Sequence, residues 1–325
     1  MLAEQNEKRF TAALNCLCKN ISRRLLPLAP KLADSVQEIR LRLSRPLALV
    51  CPDNTYYLTQ NGGLSNTILD GAMLVVSKAD IVDTFNNICN YSVYNRQNEI
   101  VNGFVTMYGG HRAGLCGTAV YGNGGLQTVK NFSSINIRIA RQHYGAARDL
   151  LPLFESKCRS RGLLIVGRAL SGKTTILRDL CRCIGGMFRV SLIDERQEIA
   201  AVYNGKPCLD VGLMTDVFSG YGKSDGIIRA VRCMSPDYIV TDELGADAES
   251  IRQAVNSGSG LIMTAHADSI EEAYRNEGIR TVIDSGAIQH IALVQSHRIT
   301  AIKQLITAEA NAVCTIPKGL GPRHF

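Results

Sequence analysis

One short stretch constrains this chain more than any other. Residues 167–174, GRALSGKT, fit the pattern G-x-x-x-x-G-K-[ST] and stand between the apolar run LLIV and the helical stretch TILRDLCRCI. A glycine-rich loop between a strand and a helix directs backbone N–H groups and a helix N-terminus at a polyphosphate. We therefore predict a nucleotide site here. Its residues are Gly167, Arg168, Ala169, Leu170, Ser171, Gly172, Lys173, Thr174 and Thr175.

Two acids after a second apolar run indicate how the nucleotide is used. Asp242 and Glu243 follow the strand-like residues YIVT. We expect Asp242 and the Thr174 hydroxyl to hold Mg²⁺, and Glu243 to orient or deprotonate the attacking water. Lys173 would reach the β- and γ-phosphates. The alternative is that the two acids merely end a strand.

A third apolar run, GLIMTAH, also ends in polar residues at Thr264 and His266. Either side chain would be placed to sense the γ-phosphate if this strand joins the same sheet. The alternative for His266 is a purely structural role. A further strand-like run at 189–193 separates the loop from Asp242, and no N-K-x-D guanine-reading motif occurs. These features favour a hydrolysing motor that uses ATP and Mg²⁺ over a GTPase switch.

Apolar runs alternate with helical stretches after residue 162, which predicts a mostly parallel sheet flanked by helices. Before it lie a helical region at 6–37, period-two strands at 38–50, a helix at 72–90, glycine-rich hairpins at 103–125 and a short strand at 135–139. We predict an α/β protein. Residues 151–325 would form a RecA-like P-loop ATPase domain, and residues 1–150 a smaller α+β domain for partner or intersubunit contacts.

Composition excludes several classes of protein. With 46% hydrophobic residues among 325, overall disorder is excluded, and no apolar run approaches the ~20 residues of a membrane-spanning helix. The N-terminus shows no secretory signal, so we expect a soluble intracellular protein. Eleven cysteines without a C-x-x-C pair favour free thiols over a metal site or a disulfide framework.

The net charge of +7 is unevenly distributed. Residues 1–160 hold 18 Lys+Arg and 11 Asp+Glu, whereas residues 161–325 hold 18 of each. The excess is either a solvated basic surface or a site for an acidic partner, anionic lipid or a neighbouring subunit's phosphates. Nucleic acid is a weaker candidate, because no Lys/Arg run is interleaved with aromatic residues and Trp is absent.

The motifs together resemble secretion ATPases of the type II/type IV class and, more closely, the stage III sporulation protein AA family. IDER at 193–196 resembles the aspartate box of the secretion class, and TAH at 264–266 its histidine box. The resemblance to the sporulation family covers most of the chain. Its segments are EIRLR at 38–42, GGHRAGLCG at 109–117, INIRIARQ at 135–142, IDERQEIA at 193–200, DVGLMTDV at 210–217 and MSPDYIVTDELG at 234–245.

This resemblance implies a homo-oligomer, hexameric in the secretion class, docked on membrane-embedded channel proteins. Its place would be peripheral, at the cytoplasmic face of the mother-cell membrane. It makes Glu195 a rival to Glu243 as catalytic base, and it suggests that Arg112 and Arg138 complete a neighbouring subunit's nucleotide site. Arg168 and Ala169 stand where the family usually has Pro-Pro.

Two other functions remain open from the sequence. The same motor core would serve a nucleic-acid translocase or helicase, in which case nucleic acid would stimulate ATP hydrolysis. A nucleotide-binding scaffold with little turnover would bind nucleotide without hydrolysing it, even when assembled. Either alternative leaves the predicted fold unchanged, because the three functions share the P-loop domain.

Overall fold

The computed structural model describes residues 2–122, 125–155, 160–245 and 248–305. Contacts divide the chain into two units. The N-terminal unit comprises Met1–Gln142 and Ala200–Leu209, and the C-terminal unit comprises His143–Ile199 and the described residues from Asp210 onward. The division thus precedes the expected one at 150/151, and a short piece of the expected ATPase domain belongs to the N-terminal unit. Asn204-Gly205 in that piece predicts a tight hairpin, but only tertiary contacts assign the hairpin to the N-terminal unit.

The N-terminal unit contains a seven-stranded antiparallel sheet with helices before and between its strands. The helices are α1 (Leu2–Asn15), α2 (Lys19–Leu25), α3 (Ala29–Leu32), α4 (Lys78–Ile88) and α5 (Gln97–Val101). The strands are β1 (Glu38–Arg42), β2 (Ala48–Val50), β3 (Thr55–Leu58), β4 (Leu64–Ser65), β5 (Phe104–Thr106), β6 (Arg112–Gly122) and β7 (Gly125–Arg138). Their order in the sheet is β4-β3-β2-β1-β7-β6-β5.

Local sequence explains several of these elements. In β1, Ile39 and Leu41 are fully buried while their neighbours face outward, as the period of two predicts. The predicted helix at 72–90 begins only at Lys78, because Ser77 and Asp80 form a capping box. The predicted short strand at 135–139 is the end of the 14-residue β7, whose exposed first part lacks an apolar run.

The C-terminal unit contains a second seven-stranded sheet. Its strands are β8 (Gly162–Gly167), β9 (Val190–Asp194), β12 (Thr215–Ser219), β13 (Tyr238–Thr241), β14 (Gly260–His266), β15 (His290–Gln295) and β16 (Arg298–Gln304). The pair β10 (Val202–Tyr203) and β11 (Lys206–Pro207) lies in the N-terminal unit. The helices are α6 (Pro152–Glu155), α7 (Lys173–Ile184), α8 (Lys223–Met234), α9 (Ala248–Asn256), α10 (Ile270–Arg275) and α11 (Glu277–Asp284).

The central strands of this sheet are buried along almost their whole length. Every residue of β8, β9 and β13 is buried, which is the pattern of a parallel sheet covered on both faces. The nine cysteines in the described ranges are free thiols; Cys158 and Cys314 lie outside those ranges. No helix among the described residues is both long enough and apolar enough to span a membrane.

Candidate nucleotide site

Parallel strands bring the predicted residues to one edge of the C-terminal sheet. The strand order is β12-β9-β13-β14-β8-β15-β16, and all pairs from β12 to β15 are parallel. The loop after β8, the acids after β13 and His266 at the end of β14 therefore share the carboxyl edge. In the sequence, β9 lies between β8 and β13. In the sheet, β9 is on the far side of β13, and β14 is the strand between β8 and β13.

The P-loop, residues 167–174, turns through left-handed backbone at Leu170 (φ 61°) and Gly172 (φ 101°). Successive residues in such conformations aim their N–H groups into one concavity. Lys173 begins α7 and is buried, with Nζ donating to the carbonyl oxygens of Gly167 and Arg168 at 2.7 Å each. Burial lowers the pKa of Lys173. The ammonium group is thus hydrogen-bonded to carbonyl oxygens of the P-loop itself.

A cavity of about 420 Å³ opens beside this loop, and we call it the phosphate cavity. It is lined by Ala169, Leu170, Gly172, Lys173, Thr174, Thr175, Arg196, Glu198, Asp242, Glu243, Thr264, His266 and His297. Gly167, Arg168 and Ser171 of the predicted set are not part of this lining. Arg168 points instead to Asp268 and forms an ion pair with it. Arg168, which stands where the family usually has a proline, therefore places an ion-paired side chain outside the phosphate cavity.

Asp242 has the surroundings of a cation ligand. Its side chain is nearly buried, and Oδ1 is enclosed without a hydrogen-bond partner. Burial raises its pKa to about 6, although the nearby Lys223 acts in the opposite direction. A buried carboxylate oxygen without a partner is costly unless it binds a cation or a donor. Together with the hydroxyl of Thr174 on the same cavity, this arrangement fits Mg²⁺, which prefers oxygen ligands.

Glu243 is held at both its backbone and its side chain. It has φ of 40°, and its N–H donates to Oγ1 of Thr264 at 2.8 Å. Its Oε1 accepts from Nε2 of His266 at 2.7 Å, and its Oε2 lies 2.6 Å from Nη2 of Arg196. Residues in sparsely populated backbone regions cluster at active sites, where the surrounding structure fixes them. The carboxylate therefore has a defined position in the phosphate cavity.

The acids after β9 have different surroundings. Asp194 is fully buried, and its carboxylate accepts the backbone N–H groups of Glu198 and Ile199, so it shapes the turn. Glu195 lies outside the lining of the phosphate cavity, and its Oε2 is 3.3 Å from Nζ of Lys223. Of the two candidate bases, the structure places Glu243 on the cavity.

Arg112 and Arg138 are cross-strand neighbours on β6 and β7 of the N-terminal unit. The guanidinium carbon of Arg112 lies 4.0 Å from the centroid of the Phe104 ring, and Nε of Arg138 lies 3.6 Å from Glu38. The two arginines are thus brought together on one sheet. Their action on a neighbouring subunit's nucleotide stays a prediction.

Comparison with known proteins identifies the family. The model of the family described as "Sporulation stage III, protein AA" matches residues 7–308. The chain belongs to this family. Stage III sporulation protein AA of Bacillus subtilis (strain 168) is 31% identical over 288 residues, which are 86% of this chain and 89% of that protein. An uncharacterized protein, ycf45 of Cyanidium caldarium, is 27% identical and covers 52% of this chain and 50% of its own length.

Solved structures of ATPases are similar in fold to this sporulation family member. The pilus retraction motor PilT, solved with bound ADP, covers 83% of this chain and 77% of its own, with 16% identity and a TM-score of 0.51. The ATPase DotB of Legionella pneumophila covers 83% and 74%, with 15% identity and a TM-score of 0.47. The predicted mixed α/β fold of this ATPase class is confirmed.

Four features of the site in this sporulation family member have no local signal in the sequence. Arg196 belongs to IDER, but that segment does not predict its contact with Glu243; Lys223 belongs to no pattern; and His297 lies in the turn between β15 and β16. The hydroxyl of Thr264 serves the backbone of Glu243, a role that an apolar strand pattern does not indicate. Each feature depends on which strands are neighbours, and no local signal specifies that.

Proposed function

We propose that this protein is a Mg²⁺-dependent ATPase that drives a transport or assembly step of a sporulation channel complex. One observation carries the proposal: Lys173 of the P-loop and the adjacent acids Asp242 and Glu243 after β13 come from two separate segments and converge on one cavity at the carboxyl edge of a parallel sheet. An ammonium for phosphates, a buried acid for a cation and a second acid for water are the parts that phosphoryl transfer requires.

The residues would divide the chemistry as follows. Lys173 leaves its carbonyl partners and binds the β- and γ-phosphates, while backbone N–H groups of the P-loop hold the same oxygens. Thr174 and Asp242 would hold Mg²⁺, which supplies neutralising charge when bound. Glu243 accepts a proton from the water that attacks the γ-phosphorus, the bond to the bridging oxygen breaks, and ADP leaves.

The family and the charge distribution support a proposal for the cellular role. The Bacillus subtilis relative is a stage III sporulation protein, and PilT is a pilus motor of the same fold. We therefore place the protein at the cytoplasmic face of the mother-cell membrane, as a homo-oligomer docked on membrane-embedded channel proteins. The basic excess of residues 1–160 suits an anionic membrane or an acidic partner.

The test is ATP turnover measured against protein concentration, with molecular mass determined on the same samples. Turnover that rises with assembly, requires Mg²⁺ and disappears in Lys173→Ala supports the proposal. Tight nucleotide binding without turnover in the assembled state would make the protein a scaffold. Strong stimulation by nucleic acid would instead indicate a translocase.

A further inference from the structure

An arginine from outside the P-loop forms an ion pair with Glu243, the proposed catalytic base. Arg196 follows β9, and its Nη2 is 2.6 Å from Oε2 of Glu243. The Arg196 side chain is 58% exposed and lines the phosphate cavity. Among the described residues that line this cavity, Arg196 is the one arginine. A guanidinium presents five donors in a planar fork, which matches two phosphate oxygens at once.

The other oxygen of Glu243 is engaged as well. Nε2 of His266 lies 2.7 Å from Oε1 of Glu243, and Nδ1 of the same ring lies 3.3 Å from Nζ of Lys173. An imidazole protonated on Nε2 accepts from the ammonium and donates to the carboxylate, which satisfies both contacts. Glu243 is therefore held between two cationic side chains, one directly and one through His266. An attacking water must therefore compete with these two donors for the oxygens of Glu243.

We propose that Arg196 is a catalytic residue acting in cis, which leaves Glu243 and binds the γ-phosphate of the ATP held by its own chain. This inference rests on the proposed ATPase function. Without nucleotide, Arg196 neutralises Glu243. With ATP, the γ-phosphate offers more negative charge and more acceptor oxygens than a carboxylate does, so the guanidinium exchanges partners. The exchange frees Oε2 of Glu243 for the attacking water and adds positive charge to the transferring group.

The same exchange distinguishes ATP from ADP. Binding of the β- and γ-phosphates draws Lys173 away from His266, and the γ-phosphate draws Arg196 away from Glu243. ADP offers no γ-phosphate, so Arg196 stays ion-paired with Glu243. The carboxylate is then not released to bind an attacking water. Glu243 is thus released only when there is a phosphate to transfer, and the device is contained within the C-terminal unit.

The first experiment measures nucleotide binding by the full-length chain rather than turnover. A fluorescent ADP is displaced either by ADP or by the non-hydrolysable β,γ-imido analogue of ATP. Arg196→Ala should bind ADP within about twofold of the unaltered protein and the analogue about tenfold more weakly. Arg196→Lys keeps the charge but loses the fork, so it should also bind ADP normally and lose most of the preference for the analogue.

A matched control and a mixing experiment complete the design. Arg280 is likewise exposed and paired with a carboxylate, Asp284, and Arg280→Ala should bind both nucleotides as the unaltered protein does. ATP turnover should fall on the order of 10³-fold in Arg196→Ala. Mixing Arg196→Ala chains with Lys173→Ala chains should restore no turnover, because neither chain combines an intact P-loop with its own Arg196.

Three results would overturn the inference. Unchanged preference for the ATP analogue in both Arg196 variants would remove the residue from the γ-phosphate. Recovery of turnover in the mixed assembly would show that Arg196 acts between subunits. If the unaltered protein binds neither nucleotide, the proposed ATPase function fails together with this inference. The first two results leave that function intact, so the failures are distinguishable.

Discussion

Among individual residues, His111 uses both ring nitrogens inside the N-terminal unit. Its Nε2 donates to the carbonyl oxygen of Arg9 at 2.8 Å, and its Nδ1 accepts from the N–H of Ala140 at 3.0 Å. Burial lowers its pKa from 6.5 to about 4. Because Nδ1 serves as an acceptor, protonation would both charge a buried ring and break this hydrogen bond.

This environment predicts a loss of stability in acid. Between pH 6.5 and about 4 the unfolded chain binds a proton at His111 that the folded chain does not, so the free energy of unfolding falls as the pH falls. We expect this residue to account for about 3 kcal/mol between neutral pH and pH 4. Urea denaturation of the unaltered protein and of His111→Gln checks it. Equal pH slopes for the two proteins would contradict the prediction.

The choice of catalytic base is a second prediction about single residues. Glu243→Gln keeps the size of the side chain but cannot accept a proton, so ATP should still bind while hydrolysis falls at least about 100-fold. Glu195→Gln should retain most of its turnover, because Glu195 lies outside the lining of the phosphate cavity. Single-turnover hydrolysis and ATP retention on filters measure the two effects. Normal hydrolysis in Glu243→Gln together with loss in Glu195→Gln would reverse the roles.

At the scale of elements, the P-loop packs against the turn that joins β15 to β16. The N–H of His297 donates to the carbonyl oxygen of Ser171 at 2.9 Å. A Cβ placed on Gly172 would lie 2.7 Å from Nδ1 and 3.1 Å from Cα of His297. Gly172 also has φ of 101°, where a side chain is strained. The shape of the P-loop therefore depends on Gly172 and on the β15–β16 hairpin, which is distant in the sequence.

Gly172→Ala should consequently weaken nucleotide binding at least about tenfold and destabilise the fold by about 1 kcal/mol or more. Gly186→Ala is the matched control, because its nearest neighbour would be 3.4 Å away and its backbone is not left-handed. Displacement of fluorescent ADP and urea denaturation provide the two measurements. Equal binding by the two variants would mean that the loop tolerates the methyl group.

The elements differ in how far the sequence predicts them. Strands β8, β13 and β14 are predictable because they are buried, so each needs an unbroken apolar run. Strand β12 is not predictable in this way, because it lies at the sheet edge, is only partly buried and so needs no apolar run. The P-loop and the acids after β13 carry local signals. The contact of Arg196 with Glu243 does not, because it depends on β9 and β13 being neighbours.

At the scale of the whole molecule, assembly would bring a second arginine into the reaction. If Arg112 completes the site of a neighbouring subunit, Arg112→Ala and Lys173→Ala should each be inactive alone. Mixed assemblies should regain part of the turnover, because some interfaces then pair an intact P-loop with an intact arginine. Mass measurement confirms co-assembly. Absence of recovery would count against action in trans, and normal activity of Arg112→Ala alone would exclude the residue.

The N-terminal unit is not encoded by one continuous piece of the gene. Residues 200–209 return to it from the middle of the ATPase segment. There the carbonyl oxygen of Cys208 lies 3.3 Å from Nη2 of Arg9, and the ring of Tyr203 packs against that of Tyr108. A recombination event at a single point could therefore not transfer either unit intact. A fragment that ends at residue 142 would likewise lack part of the N-terminal unit, because residues 200–209 come later in the chain.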